Sequence, residues 1–216
     1  MYRKGVFFIP LTIVVFVGSC QNTMENVKQT TNEEVNAVPT VYEEKDLDTA
    51  YFASGCFWCV EAIYESIKGV QEAVSGYSGG KEKNPTYQSV GTHAETVQVI
   101  YNPSIVRFNQ LLNAYYGSQD PTTFGQEPDF GEHYKSIIFY QNQQEKILID
   151  HYKDSLNTSG KYSKPVITEV KEFDKFWKAE DYHQNYERLH PDQPYVRSVS
   201  RPRLERFKQA FPELLK

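Results

Sequence analysis

The run Thr49-Ala50-Tyr51-Phe52-Ala53-Ser54-Gly55-Cys56-Phe57-Trp58-Cys59 opens with an apolar strand candidate, Thr49 to Ala53. It passes through a Ser-Gly turn into a helix expected from about Trp58 to Lys68 and closed by Gly69. A cysteine at such a junction sits beside the positive end of the helix dipole, where helix-start amides favour thiolate over thiol. Cys56 is therefore the candidate nucleophile. Cys59 follows at the spacing of redox motifs, in which two sulfurs close a disulfide once the first is oxidised. Two sulfurs do not complete a zinc site and there is no second cysteine pair, so no metal is expected.

Working outward, β-like stretches are expected at Val70 to Tyr77 and Thr96 to Tyr101, separated by a loop rich in Gly, Asn and Pro. Phe108, Leu111, Leu112, Tyr115 and Tyr116 recur at helical spacing, and Ser136 to Tyr140 is a strand candidate. Asn142 with Glu145 has the form of a capping box, opening a helix whose apolar stripe is Leu148, Ile149, Tyr152 and Leu156. Val166 to Val170 suggests a strand, and Glu180 to Leu189 a helix stopped by Pro191. Helices and strands alternate without a strict βαβ rhythm, which favours an α+β fold.

The first residues are of another kind. Arg3 and Lys4 precede an apolar run from Val6 to Val17, shorter than the roughly 20 residues needed to span a bilayer, so residues 1–19 are expected to be a targeting segment. Val17-Gly18-Ser19-Cys20 resembles the lipobox of bacterial lipoproteins. That resemblance implies cleavage before Cys20, lipid on Cys20 as membrane anchor, and an exported protein on an extracytoplasmic or periplasmic face of a bacterial membrane. Residues 20–47 have no sustained apolar period and are expected to be a flexible tether, leaving 48–216 as the catalytic domain.

The 216 residues, 39% hydrophobic and 24% charged, suit one globular domain with a modest unstructured segment. The formal net charge is −5, and loss of Arg3 and Lys4 takes it to −7. No Lys/Arg-rich run exists, so nucleic acid is not an expected partner. Exported space is oxidising, so a Cys56–Cys59 disulfide is open to this chain at rest, and turnover would need an external reductant.

With Gly55 ahead of it and Phe57-Trp58 inside it, the Cys-x-x-Cys motif resembles the signature of the peptide methionine sulfoxide reductase A family. The resemblance continues through Gly76-Tyr77-Ser78-Gly79-Gly80, Asn84-Pro85-Thr86-Tyr87, His93-Ala94-Glu95, Asp120-Pro121-Thr122, Asp129-Phe130-Gly131 with Tyr134, and Ala179-Glu180-Asp181-Tyr182-His183-Gln184. It implies a two-layer α+β sandwich, a mixed or antiparallel sheet with flanking helices in a ferredoxin-like roll, with long ordered loops. It also implies that Cys56 attacks methionine sulfoxide of the S epimer, protein-bound or free, while Glu95 protonates its oxygen. Phe57 and Trp58 would receive the methyl group, and Tyr87 and Tyr134 would donate to the oxygen. Asp129 would order the site. Cys59 would condense with the Cys56 sulfenic acid, and a thioredoxin-like dithiol would reopen the disulfide, with no bound cofactor. Oxidised proteins are the expected partners and a monomer the expected state. Structural packing is the competing role for each aromatic, and a solvent-facing strand carboxylate for Glu95.

This chain departs from the pattern in places. The tail from Arg201 to Lys216 has no further cysteine, the Gln88–Thr92 link is short, and His133 and Lys135 stand where Gln and Arg are usual. Glu180 and His183 are three apart on the expected helix, a metal-site spacing, but lack partner carboxylates and suit the surface or the site rim. The rivals are a general thiol-disulfide oxidoreductase, which would not need Glu95 and two tyrosines, and a lipid-anchored binding module, which would not need Cys56.

Overall fold

The computed structural model describes residues 46–216. The targeting segment, Cys20 and nearly all of the tether lie outside the described residues. β1 (Asp48–Ala53) leads into α1 (Phe57–Glu65), then β2 (Val70–Ser78), β3 (Ala94–Tyr101) and α2 (Phe108–Gly117). A small hairpin of β4 (Gly125–Gln126) and β5 (Asp129–Phe130) precedes β6 (Ile137–Tyr140), α3 (Gln143–Thr158), β7 (Glu169–Glu172) and β8 (Phe176–Lys178). The chain ends with α4 (Tyr186–Leu189), a π-helical turn (Val196–Ser200) and α5 (Arg201–Ala210). Six strands form one sheet in the order β7-β6-β1-β3-β2-β8, antiparallel except for the parallel β6–β7 pair.

β1 is apolar without alternation because both faces of the sheet are covered. Phe52 faces one core, stacking on Tyr64 at 5.0 Å and meeting Tyr115 at 5.6 Å. Its neighbour Tyr51 faces the other, stacked on Phe173 at 3.8 Å. Phe52 is fully buried, so truncation to Ala would cost about 3–5 kcal/mol. Gly76 in β2 is required by packing, since a Cβ there would lie 2.4 Å from the Trp177 carbonyl oxygen on β8.

Of the expected capping box the N-cap half is present, Asn142 Oδ1 accepting from the Glu145 amide at 2.9 Å; the Glu145 carboxylate reaches one residue further back, to the Gln141 amide at 2.7 Å, rather than to the Asn142 amide. Leu148, assigned to the apolar stripe, is instead 45% exposed, because α3 lies at the edge and buries little beyond Ile149. The strand expected at Val166 to Val170 starts later. The Ile167 amide is held by the Pro121 carbonyl, and pairing with β6 begins at Glu169. The helix expected over Glu180 to Leu189 is interrupted: a short 3₁₀ turn at Asp181–His183 ends at Asn185, whose left-handed backbone (φ 55°) resets the chain before α4.

Candidate functional site

Gly55 carries the turn from β1 to α1. Its φ of +78° is left-handed, the region that favours glycine, and its amide donates to the Tyr134 carbonyl at 3.1 Å. Cys56 is consequently the N-cap residue of α1, 7% exposed, with its side chain free of any capping duty. β1 pairs with β3 in the register Phe52↔Val97, which brings the start of β3 alongside this turn. Glu95 is there, 3% exposed, and the Phe57 amide donates to its Oε2 at 2.9 Å.

Burial is the main force on Glu95 and lifts its pKa to about 8; Asp129 and Cys59 push the same way, and the Phe57 hydrogen bond opposes them. At neutral pH this carboxyl keeps its proton, with one oxygen held by Phe57. It is not the solvent-facing strand carboxylate that sequence alone allows.

The two cysteines are free thiols and divide their charge unequally. Burial pushes Cys56 well above the usual thiol range, reinforced by the hydrogen bond and charge of Cys59 and by Glu95. Cys59 is brought down to about 6, first by its hydrogen bond with Cys56, against burial, then by Arg203, Ser200 and Tyr195. At Cys56, burial opposes the helix start, whose Phe57 amide is committed to Glu95.

Around the sulfurs the aromatic residues form a wall. Trp58 stacks on Tyr186 at 3.7 Å and 7°, and its indole Nε1 donates to His183 Nδ1 at 3.1 Å. With Nδ1 accepting, the ring proton is assigned to Nε2, and burial, its largest influence, favours this neutral form. Phe57, fully buried, faces His183 at 4.9 Å and Tyr87 at 6.4 Å. Tyr87 is on the loop between β2 and β3, its amide donating to Glu180 Oε1 at 3.0 Å. Tyr134 ends a 3₁₀ turn. Burial raises both phenols, and the charges of Glu95, Asp129 and Cys56 act in the same direction. Asp129, on β5, accepts a short hydrogen bond from the Tyr195 hydroxyl, which also lies 3.8 Å from Cys59 Sγ.

The structure thus brings Cys56, Phe57, Trp58, Cys59, Tyr87, Glu95, Asp129 and Tyr134 together, while Cys20 lies outside the described residues. It adds Tyr195, Tyr186 and Arg203, which sequence reasoning missed, and it buries His183, which had been placed at the surface or rim. Among 16 tyrosines nothing local marks these two. The break at Asn185 also removes the helical periodicity that would have aligned His183 with Tyr186.

Residues 48–215 match the model of the family described as peptide methionine sulfoxide reductase. The chain belongs to the peptide methionine sulfoxide reductase family. It is accordingly an oxidoreductase. It is 42% identical over 169 residues to peptide methionine sulfoxide reductase MsrA of Picrophilus torridus, covering 76% of this chain and 95% of the relative. To the MsrA of Natronomonas pharaonis it is 38% identical over 170 residues, covering 76% and 96%. Among solved structures, Mxr1 from Saccharomyces cerevisiae in reduced form superposes with a TM-score of 0.63 at 27% identity, covering 70% of this chain and 90% of that one. Methionine sulfoxide reductase A of Corynebacterium diphtheriae gives 0.59 at 29%, covering 68% and 76%. The mixed α+β fold, with a mixed sheet flanked by helices, is the one these reductases share.

Proposed function

We propose that this reductase acts on the S epimer of methionine sulfoxide, protein-bound and free, with Cys56 as nucleophile and Glu95 as general acid. The observation that carries the reading is Glu95, a buried carboxyl protonated at neutral pH and tied through the Phe57 amide to the residue after Cys56. A sulfoxide oxygen is a poor leaving group unless protonated as sulfur is attacked, and a positioned acid contributes ~10²–10⁴ in rate.

In this mechanism Cys56 attacks the sulfoxide sulfur as a thiolate while Glu95 protonates the oxygen. Oxygen ends on Cys56 as a sulfenic acid, two electrons move to the methionine sulfur, and methionine leaves. Cys59 then attacks the Cys56 sulfur; the S–S bond forms, the S–O bond breaks and water departs. A thioredoxin-like dithiol reopens the disulfide by thiol exchange. Trp58 and Phe57 would receive the methyl group, Tyr87 and Tyr134 would donate to the oxygen as its charge develops, and Asp129 would orient the substrate. No bound cofactor takes part in this scheme. The monomer is the working unit.

The strand order β6-β1-β3-β2, with α1 and α2 between strands, supports reading the central sheet as a ferredoxin-like roll. We also propose that residues 1–19 direct export and that Cys20 carries the lipid, so that the enzyme repairs oxidised exported proteins from a bacterial membrane. The Arg3-Lys4 start, the apolar run and Gly18-Ser19-Cys20 support this. The decisive experiment is chromatography of both sulfoxide epimers, free and peptide-bound, after incubation with enzyme and dithiothreitol. The S form should disappear; loss of the R form instead overturns the reading.

A further inference from the structure

Glu180 precedes the 3₁₀ turn Asp181–His183, the His183 amide donating to the Glu180 carbonyl at 2.9 Å, and no step of the reaction proposed above uses either side chain. The turn is fastened to β2 from both sides. Before it the Ala179 amide donates to the Ser75 carbonyl at 2.9 Å; after it Gln184 accepts from the Ser75 amide at 3.0 Å and donates to the Ser75 carbonyl at 3.1 Å. Side chains on so firm a base can fix what they touch.

They touch opposite sides of the aromatic wall. His183 is 1% exposed, and its ring makes one hydrogen bond among the described residues, accepting the Trp58 indole N–H on Nδ1 at 3.1 Å, while Nε2 has no partner. A buried polar atom left unpaired is costly, and an apolar side chain would fill the space without that cost, so stability alone does not account for a histidine here. Glu180 reaches the other way: Oε1 accepts from the Tyr87 amide at 3.0 Å and Oε2 from the Tyr77 hydroxyl at 3.2 Å. Tyr77 in turn backs Phe57, with ring centroids 5.8 Å apart.

Between these anchors the Phe57 ring lies 6.3 Å from that of Trp58, and 6.4 Å from that of Tyr87 with the planes 21° apart. We propose that Glu180 and His183 are positioning residues that set the width of the methyl pocket, His183 through the Trp58 indole and Glu180 through the backbone of Tyr87, and so restrict the smaller sulfur substituent of the substrate to a methyl group. The inference rests on the reaction proposed above, in which Phe57 and Trp58 receive that methyl. Close-packed walls tied on both sides resist spreading for one more carbon; walls freed on either side give way. Neither residue touches the reacting atoms, so the effect falls on which substrate fits and not on the chemistry of the thiol or the acid.

The test is kcat/KM of the full enzyme, with dithiothreitol, for the S epimers of methionine sulfoxide and ethionine sulfoxide, which differ by one methylene on the group that enters the pocket. Wild type should favour methionine sulfoxide roughly 10–200-fold, the worth of one methylene in an apolar pocket. Glu180→Ala and His183→Leu should each cut that preference by on the order of fivefold. Glu180→Gln and His183→Gln keep an acceptor oxygen for Tyr87 and for the indole and should stay near the wild-type preference. Equal loss for both substrates in the Ala and Leu variants, with the preference unmoved, is what a merely structural role gives and overturns the proposal, as does a wild type that takes the two substrates alike. A shift in one variant alone overturns it for the other residue. If His183→Leu does not fold, Glu180→Ala decides, its side chain being 32% exposed. Absence of methionine from the wild type overturns the reaction and this inference with it; methionine formed at an unmoved preference overturns this inference alone.

Discussion

The backbone nitrogen of Phe57 lies 2.9 Å from Oε2 of Glu95, so the first amide of the helix bearing both cysteines is satisfied by a carboxyl from the adjacent strand. One contact thus ties Glu95 to the residue that follows Cys56, joining the two groups proposed above as acid and nucleophile.

Glu95→Gln keeps an oxygen for the Phe57 amide but has no proton to give. Methionine formation in a single turnover should fall by ~10²–10⁴. In the wild type the acid is lost as pH rises through about 8, so the rate should decline there, and this decline should be missing from the variant. Rapid quench across pH 6 to pH 9.5 checks both; an identical alkaline decline in the variant removes Glu95 from the acid role.

Much of this arrangement was readable from the residues, though not all. Strand, turn and helix around Cys56 follow from local signals: an apolar run, Gly55, and a helix beginning at Phe57. The Asn142–Glu145 cap does too. What escaped reading depends on tertiary partners. β8 is three residues long and exists because Gly76 lets it approach β2. The halt at Asn185 comes from its amide bonding Glu61, far away in sequence. The dipole argument also takes no account of burial, which raises Cys56.

Cys59→Ser should separate reduction from recycling. Cys59 meets Tyr195 at 3.8 Å, and the described residues hold only one other cysteine, Cys56. The variant should release one equivalent of methionine, stall with thioredoxin as donor, and turn over again when a small thiol reaches the sulfenic acid. Trapping that sulfenic acid with dimedone provides the readout. Full thioredoxin-supported turnover in the variant would eliminate Cys59 as the resolving thiol.

Tyr186 and Trp58 stack at 3.7 Å, and the Trp58 indole is held by His183. Tyr186→Ala removes one face of that support. A stacked pair contributes about 0.5–1.5 kcal/mol beyond area burial, so KM for the sulfoxide should rise roughly 2–12-fold. Tyr186→Phe should restore it. Steady-state kinetics decide, and a loss confined to kcat would show that the wall serves something other than binding.

Glu61 tests whether the buried carboxyls limit stability. It lies on α1, accepting from Ser75 Oγ and from the Asn185 amide that ends the segment carrying His183. Burial is its largest influence and lifts its pKa to about 7, the two hydrogen bonds opposing. Because the folded value lies above the unfolded one, roughly 4.3, its favourable contribution is complete below that unfolded value. It is lost as pH rises through about 7. Glutamine can offer an oxygen to Asn185 and an amide to Ser75 without ever ionising. Glu61→Gln should therefore gain on the wild type with rising pH, by on the order of 3 kcal/mol between pH 4 and pH 8. Glu95 destabilises in the same direction in both proteins, through about 8, and cancels in the difference. Urea unfolding at five pH values measures that difference, and parallel curves for the two proteins would mean that Glu61 is not the ionising group.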